Sequence, residues 1–295
     1  MFMRKLFTTA VLLAALVALP VRADAWGFEA HRYIVSRAIA LLPPEIRPFF
    51  EANRPFIVER AVDPDLWRTA GWEEEDKRHF VDLDAYGPYP FPDLPHDFDA
   101  AVLKHGRDFV LKNGTLPWRT EEIYKKLVEA FQQKAGYSRD NIKFLSAVVG
   151  HYVSDAHVPF HAALNYDGHL TQQWGIHARF ESELFERNRT RLRVIPAPVK
   201  RIENPREFIF EALTSGFPYV QQVLDVDKTA IAGREVYDNG YFTMMFAKLQ
   251  PVLEKRLAES ITNTASMITS AWIEAGRPPL PVQAPPRPDR TIRRQ

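Results

Sequence analysis

The sequence predicts an all-α protein that folds as a single compact multi-helix domain. Apolar residues recur at helical spacing in several segments, most clearly over residues 144–158. Between residues 26 and 276 we find neither an internal repeat nor a linker-like change of composition. Hydrophobic residues make up 46% of the 295 residues, which is ample for one core. Together these observations favour helices packed on helices.

Each predicted helix has an apolar face and recognisable ends. Pro43 and Pro44 stop the first helix, whereas acidic residues open the helix that starts at residue 120. A proline-rich loop over residues 87–95 and an irregular crossing over residues 191–202 separate helices. The predicted helices cover residues 29–42, 45–53, 96–111, 120–134, 144–158, 177–188, 205–223 and 243–275, the last with a break or kink at Pro251.

The two ends of the chain predict processing and disorder. Residues 1–25 have the form of a secretion signal, in which Arg4 and Lys5 precede an apolar run and Ala25 closes a small-x-small cleavage site. The apolar run is too short for a comfortable membrane span. We therefore expect a secreted or periplasmic protein whose mature chain begins at Trp26. Residues 277–295 are rich in proline and then basic, which predicts a disordered tail.

Charge and cysteine content exclude several kinds of site. The net charge is +1, and loss of the leader, which contains Arg4, Lys5, Arg22 and Asp24, would change it to about −1. This balance lacks the strongly basic character of a duplex nucleic-acid binder. The chain has no cysteine, so disulfides and thiolate metal sites are excluded.

Residues 144–181 contain the densest set of potential metal ligands. His151 and Asp155 are four residues apart, so they share one face of a helix. Pro159 ends or bends that helix and lets the chain direct His161 back toward the pair.

A second pair, His177 and Glu181, repeats the four-residue spacing on a further helix. One such pair is also typical of an ordinary amphipathic helix. Two pairs with His161 between them predict a site for more than one metal ion. Imidazole and carboxylate groups are common ligands of zinc.

Candidate ligands also lie nearer the N-terminus. A free α-amine at Trp26 has a pKa near 8 and can donate its nitrogen to a metal, with His31 close behind it in the sequence. Asp65 follows a proline, a setting typical of a turn or a helix cap, and His79 opens the short run HFVDL. Asp63, two residues before Asp65, is the alternative carboxylate.

Taken in order, these residues resemble the zinc set of bacterial zinc-dependent phospholipases C and S1/P1-type single-strand nucleases, a superfamily of trinuclear zinc phosphodiesterases. The resemblance runs from Trp26 to Glu181 and implies an all-helical domain with a trinuclear zinc cleft. It rests on the HxxxDxHxPxH run from His151 to His161 and on these further residues: Trp26, His31, Asp65, His79, His177 and Glu181.

The resemblance also implies ligand roles. One zinc ion would take Asp65, His79, His151 and Asp155; a second would take His161, His177 and Glu181; a third would take Trp26, His31 and a bridging Asp155. Zinc ions placed in this way activate water and stabilise a leaving alkoxide, and Asp65 would orient or deprotonate the water. The Pro-Asp step of the family favours Asp65 over Asp63. His157 is assigned a structural or supporting role, and the loop residue His169 has no assigned partner.

The implied substrate is a phosphodiester, either a phospholipid head group or a single-stranded nucleic acid. The asparagine-containing loop before His177 and Glu181 resembles the phospholipase branch, and the absence of disulfides agrees with it. The short spacing from Trp26 to His31 resembles the nucleases. A non-catalytic zinc-binding protein and a membrane-surface or partner-binding helical module are the alternatives of other classes. The resemblance implies no stable protein partner, but it allows transient contact with a membrane surface.

Overall fold

The structure, a computed structural model, describes residues 27–133 and 137–283. The predicted secretion signal and Trp26 lie outside the described residues, as does the tail beyond residue 283. Within the described ranges the chain forms helices and connecting loops without strands, as the sequence predicts. Among these residues, no helix has both the length and the apolar composition that a membrane span requires.

Most helices in the first half of the chain have eight residues or fewer. The longer ones are Phe28–Leu41, Leu116–Phe131 and Ser138–Asp155. Within the described ranges, three 3₁₀ or π segments lie among the helices, at Leu83–Tyr86, Pro159–Ala162 and Arg179–Glu183. The α-helices are α1 (Phe28–Leu41), α2 (Arg47–Ala52), α3 (Arg54–Arg60), α4 (Asp63–Thr69), α5 (Glu73–Asp76), α6 (Phe98–His105), α7 (Arg107–Lys112), α8 (Leu116–Phe131), α9 (Ser138–Asp155), α10 (Ile176–Ala178), α11 (Leu184–Asn188), α12 (Pro205–Gly216), α13 (Pro218–Ile231) and α14 (Asn239–Glu274).

Helix α9 is the centre of the fold. It packs against α8 and α14 on one side and against α1 and α3 on the other, so most of its length is buried. Val148, Val149 and Val153 are fully buried in the core. Because helix α9 has neighbours all round, its polar residues His151 and Asp155 are enclosed by protein as well.

Three predicted helices differ in detail from the structure. The segment predicted as one helix over residues 96–111 is divided at Gly106, whose φ of +87° is not helical. The segment over residues 205–223 is divided before Pro218, which cannot donate the helical hydrogen bond and therefore begins α13. Conversely, α14 continues through Pro251 without the predicted break, because the exposed proline is flanked by buried residues that hold the helix to the core.

The irregular crossing is attached to α14 by hydroxyl groups at helical spacing. The backbone N–H groups of Ala197, Lys200 and Ile202 donate to the hydroxyls of Thr262, Ser266 and Ser270, respectively. These hydroxyls recur every four residues on one face of the helix, so they match an extended chain that runs alongside. The crossing therefore has fixed partners although it is neither helix nor strand.

The first part of the predicted tail also contacts the helical body. The carbonyl of Pro279 accepts from Gln133, and the carbonyl of Pro281 accepts from Arg139. Leu280 between them is buried. The ordered chain thus continues past residue 277, where the sequence predicts the tail to begin.

Candidate metal centre

The last turn of α9 supplies the middle of the site. His151 and Asp155 lie one turn apart, with 3.2 Å between His151 Nε2 and Asp155 Oδ2, and both are fully buried. Pro159 begins the 3₁₀ turn Pro159–Ala162, which reverses the chain and places His161 Nδ1 3.9 Å from Asp155 Oδ1. The proline therefore has the structural effect that the sequence predicts.

The second pair lies on α10 and the π turn that follows it. His177 Nε2 is 3.0 Å from Glu181 Oε2, and His161 Nε2 is 3.8 Å from the same oxygen. Turns of π-helix are rare and occur often at functional sites. Here the π turn spans Arg179–Glu183 and carries Glu181.

Three side chains from the first half of the chain complete the cluster. His31 of α1 has its Nε2 3.4 Å from Asp155 Oδ1. Asp65 of α4 has its carboxylate 3.9 Å from His31 Nε2 and 3.7 Å from His79 Nδ1. His79, in the loop after α5, has its Nδ1 3.0 Å from Asp155 Oδ2.

These residues form three groups, two of which share His151, and within each group the potential ligand atoms lie within 4.8 Å of one another. Ligands held tetrahedrally at 2.0–2.2 Å from zinc are about 3.3–3.6 Å apart. The separations between neighbouring potential ligand atoms here, 3.0–3.9 Å, lie on both sides of that range. Buried clusters of this kind could bind metal ions. The groups are His31, Asp65 and His151; His79, His151 and Asp155; and His161, His177 and Glu181.

Many polar atoms of the cluster lack a hydrogen-bond partner. A buried polar atom without a partner typically costs about 1–3 kcal/mol, so a concentration of such atoms needs an explanation. Metal ions would satisfy them together, and the donor set of imidazole nitrogens and carboxylate oxygens fits zinc. The atoms are His31 Nδ1 and Nε2, Asp65 Oδ1 and Oδ2, Asp155 Oδ1, His161 Nε2, His177 Nε2, and Glu181 Oε1 and Oε2.

Backbone carbonyls orient two of the imidazoles. His151 Nδ1 lies 2.8 Å from the carbonyl of Ala61, and His161 Nδ1 lies 2.5 Å from the carbonyl of His79. A carbonyl can only accept, so each Nδ1 carries a proton and each Nε2 is the nitrogen left for a metal. In His151, whose pKa is raised to about 9, Nε2 must first lose a proton of its own. In both residues Nε2 is the atom that faces the cluster, as a metal ligand requires.

Burial and the charges of the cluster shift the pKa values of several of its members. Burial raises the pKa of Glu181 to about 7, and the carboxylates of Asp155 and Asp65 add to this effect. Burial opposes a charged His151, but the same two carboxylates raise its pKa to about 9. Burial lowers the pKa of His161 to about 3, so this imidazole is neutral. Protons on Glu181 and His151 thus occupy positions that a cation could take instead.

An open cleft of about 740 Å³ leads to the cluster. His79, His161 and His177 form its floor, while Trp72 and Tyr166 lie on its walls and are 61% and 51% exposed, respectively. Further charged side chains line the cleft: Arg68, Lys77, Glu73, Asp76 and Asp167. A small phosphodiester would thus have a route to the cluster.

Arg256 of α14 fixes the chain between two ligands. Its guanidinium is 1% exposed and donates to the carbonyls of Ala156 and His157, the two residues that follow Asp155. It also donates to the carbonyl of Ala212 and to the carboxylate of Glu259. Helix α14 thereby caps the end of α9 and holds the turn that leads to His161.

The remaining candidates lie outside the cluster. Asp63 pairs with Arg60 at 3.5 Å, so the structure places Asp65, and not Asp63, among the potential ligands. The ring of His157 has partners in the carbonyl of Val153 and the side chain of Asn263, which agrees with a structural role. His169 lies against the aromatic rings of Tyr166 and Trp174.

Sequence reasoning missed Glu75 and Arg256. Glu75 precedes His79 by four residues, the spacing that identified the other two pairs, so a signal was present. Arg256 has no such signal, because it acts on residues about a hundred positions away. All the predicted ligands except Trp26, which lies outside the described residues, meet at one place.

Comparison with protein-family models gave no match, and comparison with curated proteins gave none either.

Proposed function

We propose that the protein is a zinc-dependent phosphodiester hydrolase of the phospholipase C type, exported after removal of residues 1–25. The observation that carries this proposal is the buried cluster of unpartnered imidazole and carboxylate atoms on the floor of an open cleft. Such a combination is characteristic of functional sites more than of a structural core. The resemblance to trinuclear zinc phosphodiesterases supplies the reaction type.

The positions of the described residues support part of the ligand set implied by the resemblance, since Asp65 lies 3.7 Å from His79 and 3.9 Å from His151. Zinc held there would polarise the phosphoryl group and make a water molecule a good nucleophile at neutral pH. Neither carboxylate oxygen of Asp65 makes a hydrogen bond in the structure, so one of them can orient or deprotonate that water. Arg68 lies 3.4 Å from Asp65 and also lines the cleft, where its guanidinium can approach a phosphate oxygen.

The lining of the cleft favours a substrate with a cationic group. Of the charged residues on the walls, Glu73, Asp76 and Asp167 outnumber Arg68 and Lys77. An acidic cleft with exposed aromatic rings attracts an ammonium group through charge and cation–π contacts. A phospholipid with such a head group fits this lining better than a polyanionic nucleic acid does.

Hydrolysis of a single-stranded nucleic acid is the second candidate. It is favoured by the rings of Trp72 and Tyr166, since exposed aromatic side chains beside a phosphodiesterase centre can stack on bases. A zinc protein without catalytic activity is the third candidate, and four protein ligands on every bound zinc ion would favour it.

Two neighbouring aspartates provide a matched test. The purified mature protein, with its zinc content quantified, is assayed on phosphatidylcholine vesicles and on single-stranded DNA and RNA. We expect lipid hydrolysis, and we expect Asp65→Asn to reduce it by more than about 100-fold, beyond the 10–100-fold typical of residues that only support a ligand. Asp63→Asn, the control, should stay within a few-fold of the native rate.

Hydrolysis of nucleic acid alone would assign the nuclease function to the same residues. Bound zinc without hydrolysis of either substrate would overturn the phosphodiesterase proposal. An equal decrease in the rate of hydrolysis in Asp65→Asn and Asp63→Asn would overturn the role given to Asp65.

A further inference from the structure

Glu75 lies beside the proposed metal centre, on the side of His79 that faces away from the cluster. Its side chain is fully buried, and its Oε1 is 3.9 Å from His79 Nε2. The other ring nitrogen, Nδ1, faces Asp155 and His151 at 3.0 and 3.1 Å. The imidazole therefore stands between the carboxylate of Glu75 and the potential ligand atoms.

Glu75 is held firmly in this position. Tyr152, the residue after His151, donates a short hydrogen bond to Oε1. Arg78 donates to Oε2 at 2.7 Å, and Arg119 lies 3.9 Å from the same oxygen. The two guanidinium groups offset part of the cost of burying the carboxylate beside the imidazole.

His79 differs from the other oriented imidazoles in its outer partner. His151 and His161 each have a backbone carbonyl to accept the proton of the nitrogen that faces away from the cluster. His79 Nε2 is buried and has no hydrogen-bond partner in the structure. Of the acceptors on that side, the Glu75 carboxylate is the one that the structure places near it.

We propose that Glu75 is a positioning residue that accepts the Nε2–H of His79 and so keeps Nδ1 deprotonated and directed at a zinc ion. This inference rests on the proposed zinc-dependent function. A closure of about 1 Å between Glu75 and His79 would give a normal hydrogen bond. Carboxylate partners of this kind fix the ring and make the imidazole a stronger ligand.

The substitution Glu75→Gln tests the inference with little change of shape. Oε1 faces the two N–H or O–H donors of His79 and Tyr152, while Oε2 faces the donor Arg78. An amide has one oxygen, so in either orientation its NH₂ group points at a donor. We expect the zinc affinity, measured by competition with a chelator in the absence of substrate, to fall 10–100-fold.

Asp227→Asn is the matched control. Asp227 is also a buried carboxylate held by an arginine and a tyrosine, Arg179 and Tyr241, and none of its partners is an imidazole. We expect this variant to keep the native zinc affinity. An equal loss of affinity in both variants would reduce Glu75 to a structural residue and overturn the proposal, as would unchanged affinity in Glu75→Gln.

A second measurement uses the native protein alone and does not depend on the variant folding. In a ¹⁵N-histidine spectrum of the zinc-loaded protein, we expect His79 Nε2 to carry a proton that exchanges slowly with solvent. A proton on Nδ1, or rapid exchange at Nε2, would refute the role of Glu75 even if zinc is bound and a phosphodiester is hydrolysed. Absence of zinc binding by the native protein would instead remove the proposed function on which the inference rests.

Discussion

The proposed metal centre and the cluster around Asp227 are both buried and polar, but their hydrogen bonding differs. Both oxygens of Asp227 have donors: Arg179 and Tyr241 on one, and Gln173 on the other. At the proposed metal centre, by contrast, both oxygens of Asp65 lack hydrogen-bond partners. Protein groups alone satisfy the carboxylate of Asp227, whereas the carboxylate of Asp65 has no hydrogen-bond donor.

This difference separates a structural role from a binding role. Asp227 and Arg179 connect α13 to the start of the π turn, and Arg179 also donates to the carbonyl of Trp174 in the loop that carries the cleft wall. That network stabilises the fold because each major group has its partner. The metal centre leaves atoms unpartnered at a cost that a bound cation would remove.

Isosteric substitutions in the two clusters should therefore have opposite consequences for hydrolysis. We expect Asp155→Asn to reduce hydrolysis by more than about 100-fold and to lower the zinc content, because Asp155 is shared by several imidazoles. In the presence of a chelator its stability should also fall, because, although burial opposes ionisation, His151 and His161 lower the pKa of Asp155 in the folded protein. Asp227→Asn should retain hydrolysis but lose about 3 kcal/mol of unfolding free energy, because Arg179 loses its buried partner.

Zinc analysis, rate measurements and urea unfolding on both variants would check this contrast. Loss of zinc in Asp227→Asn, or native activity in Asp155→Asn, would remove the distinction between the two clusters.

Removal of the Arg256 side-chain charge should have the next largest effect, a decrease in the free energy of unfolding. Arg256→Met would leave the carbonyls of Ala156, His157 and Ala212 without their buried donor. We expect the unfolding free energy to fall by about 3 kcal/mol. Lys255→Met, on the same helix but exposed, should change it by less than about 0.5 kcal/mol.

Urea unfolding monitored by circular dichroism gives both values. If the two variants were equally stable, the hydrogen bonds from Arg256 to the carbonyls at the end of α9 would not contribute to the free energy of unfolding.

Substitution of Asp82 should have a smaller effect on the stability of the fold, and this effect should depend on pH. Burial raises the pKa of Asp82 to about 7, and the nearby charge of Asp84 adds to this effect, whereas the pKa in the unfolded chain is near 3.8. Between these two values the folded state binds more protons than the unfolded state, so stability decreases as the pH rises toward 7. We expect Asp82→Asn to remove this decrease and to be about 1–2 kcal/mol more stable than the native protein at pH 8.

Unfolding curves at pH 5.5 and pH 8 would measure the effect. Asp93→Asn is the control: Lys104 lowers the pKa of the exposed Asp93, so this group is ionised at both pH values and its substitution should leave the pH dependence unchanged. A native protein that is equally stable at both pH values would show that Asp82 is ionised in the fold without cost.

Local spacing was sufficient to predict the two ligand pairs and the reversal between them. The four-residue spacing places His151 beside Asp155 on any α-helix, and Pro159 acts on its own neighbours. The divisions at Gly106 and Pro218 are also local, and their residue types would have predicted them. The continuity of α14 through Pro251 is not local, since packing against the core overrides the proline.

The meeting of distant residues was decided by tertiary structure. A helical period shows which face His31 occupies, but only the packing of α1 against α9 brings it to Asp155. Asp65 and His79 were grouped with them through a family resemblance and not through physical reasoning.

The sequence by itself determined most of the longer helices, the ligand types and the local ligand pairs, because these follow from backbone geometry over one or two turns. It did not predict α3, α4 and α5, the short helices between residues 54 and 76. Tertiary structure alone decided that Asp65 and not Asp63 enters the cluster, that Glu75 stands behind His79, and that Arg256 caps α9. Those outcomes depend on how helices that are far apart in the sequence pack together, and no local spacing contains that information.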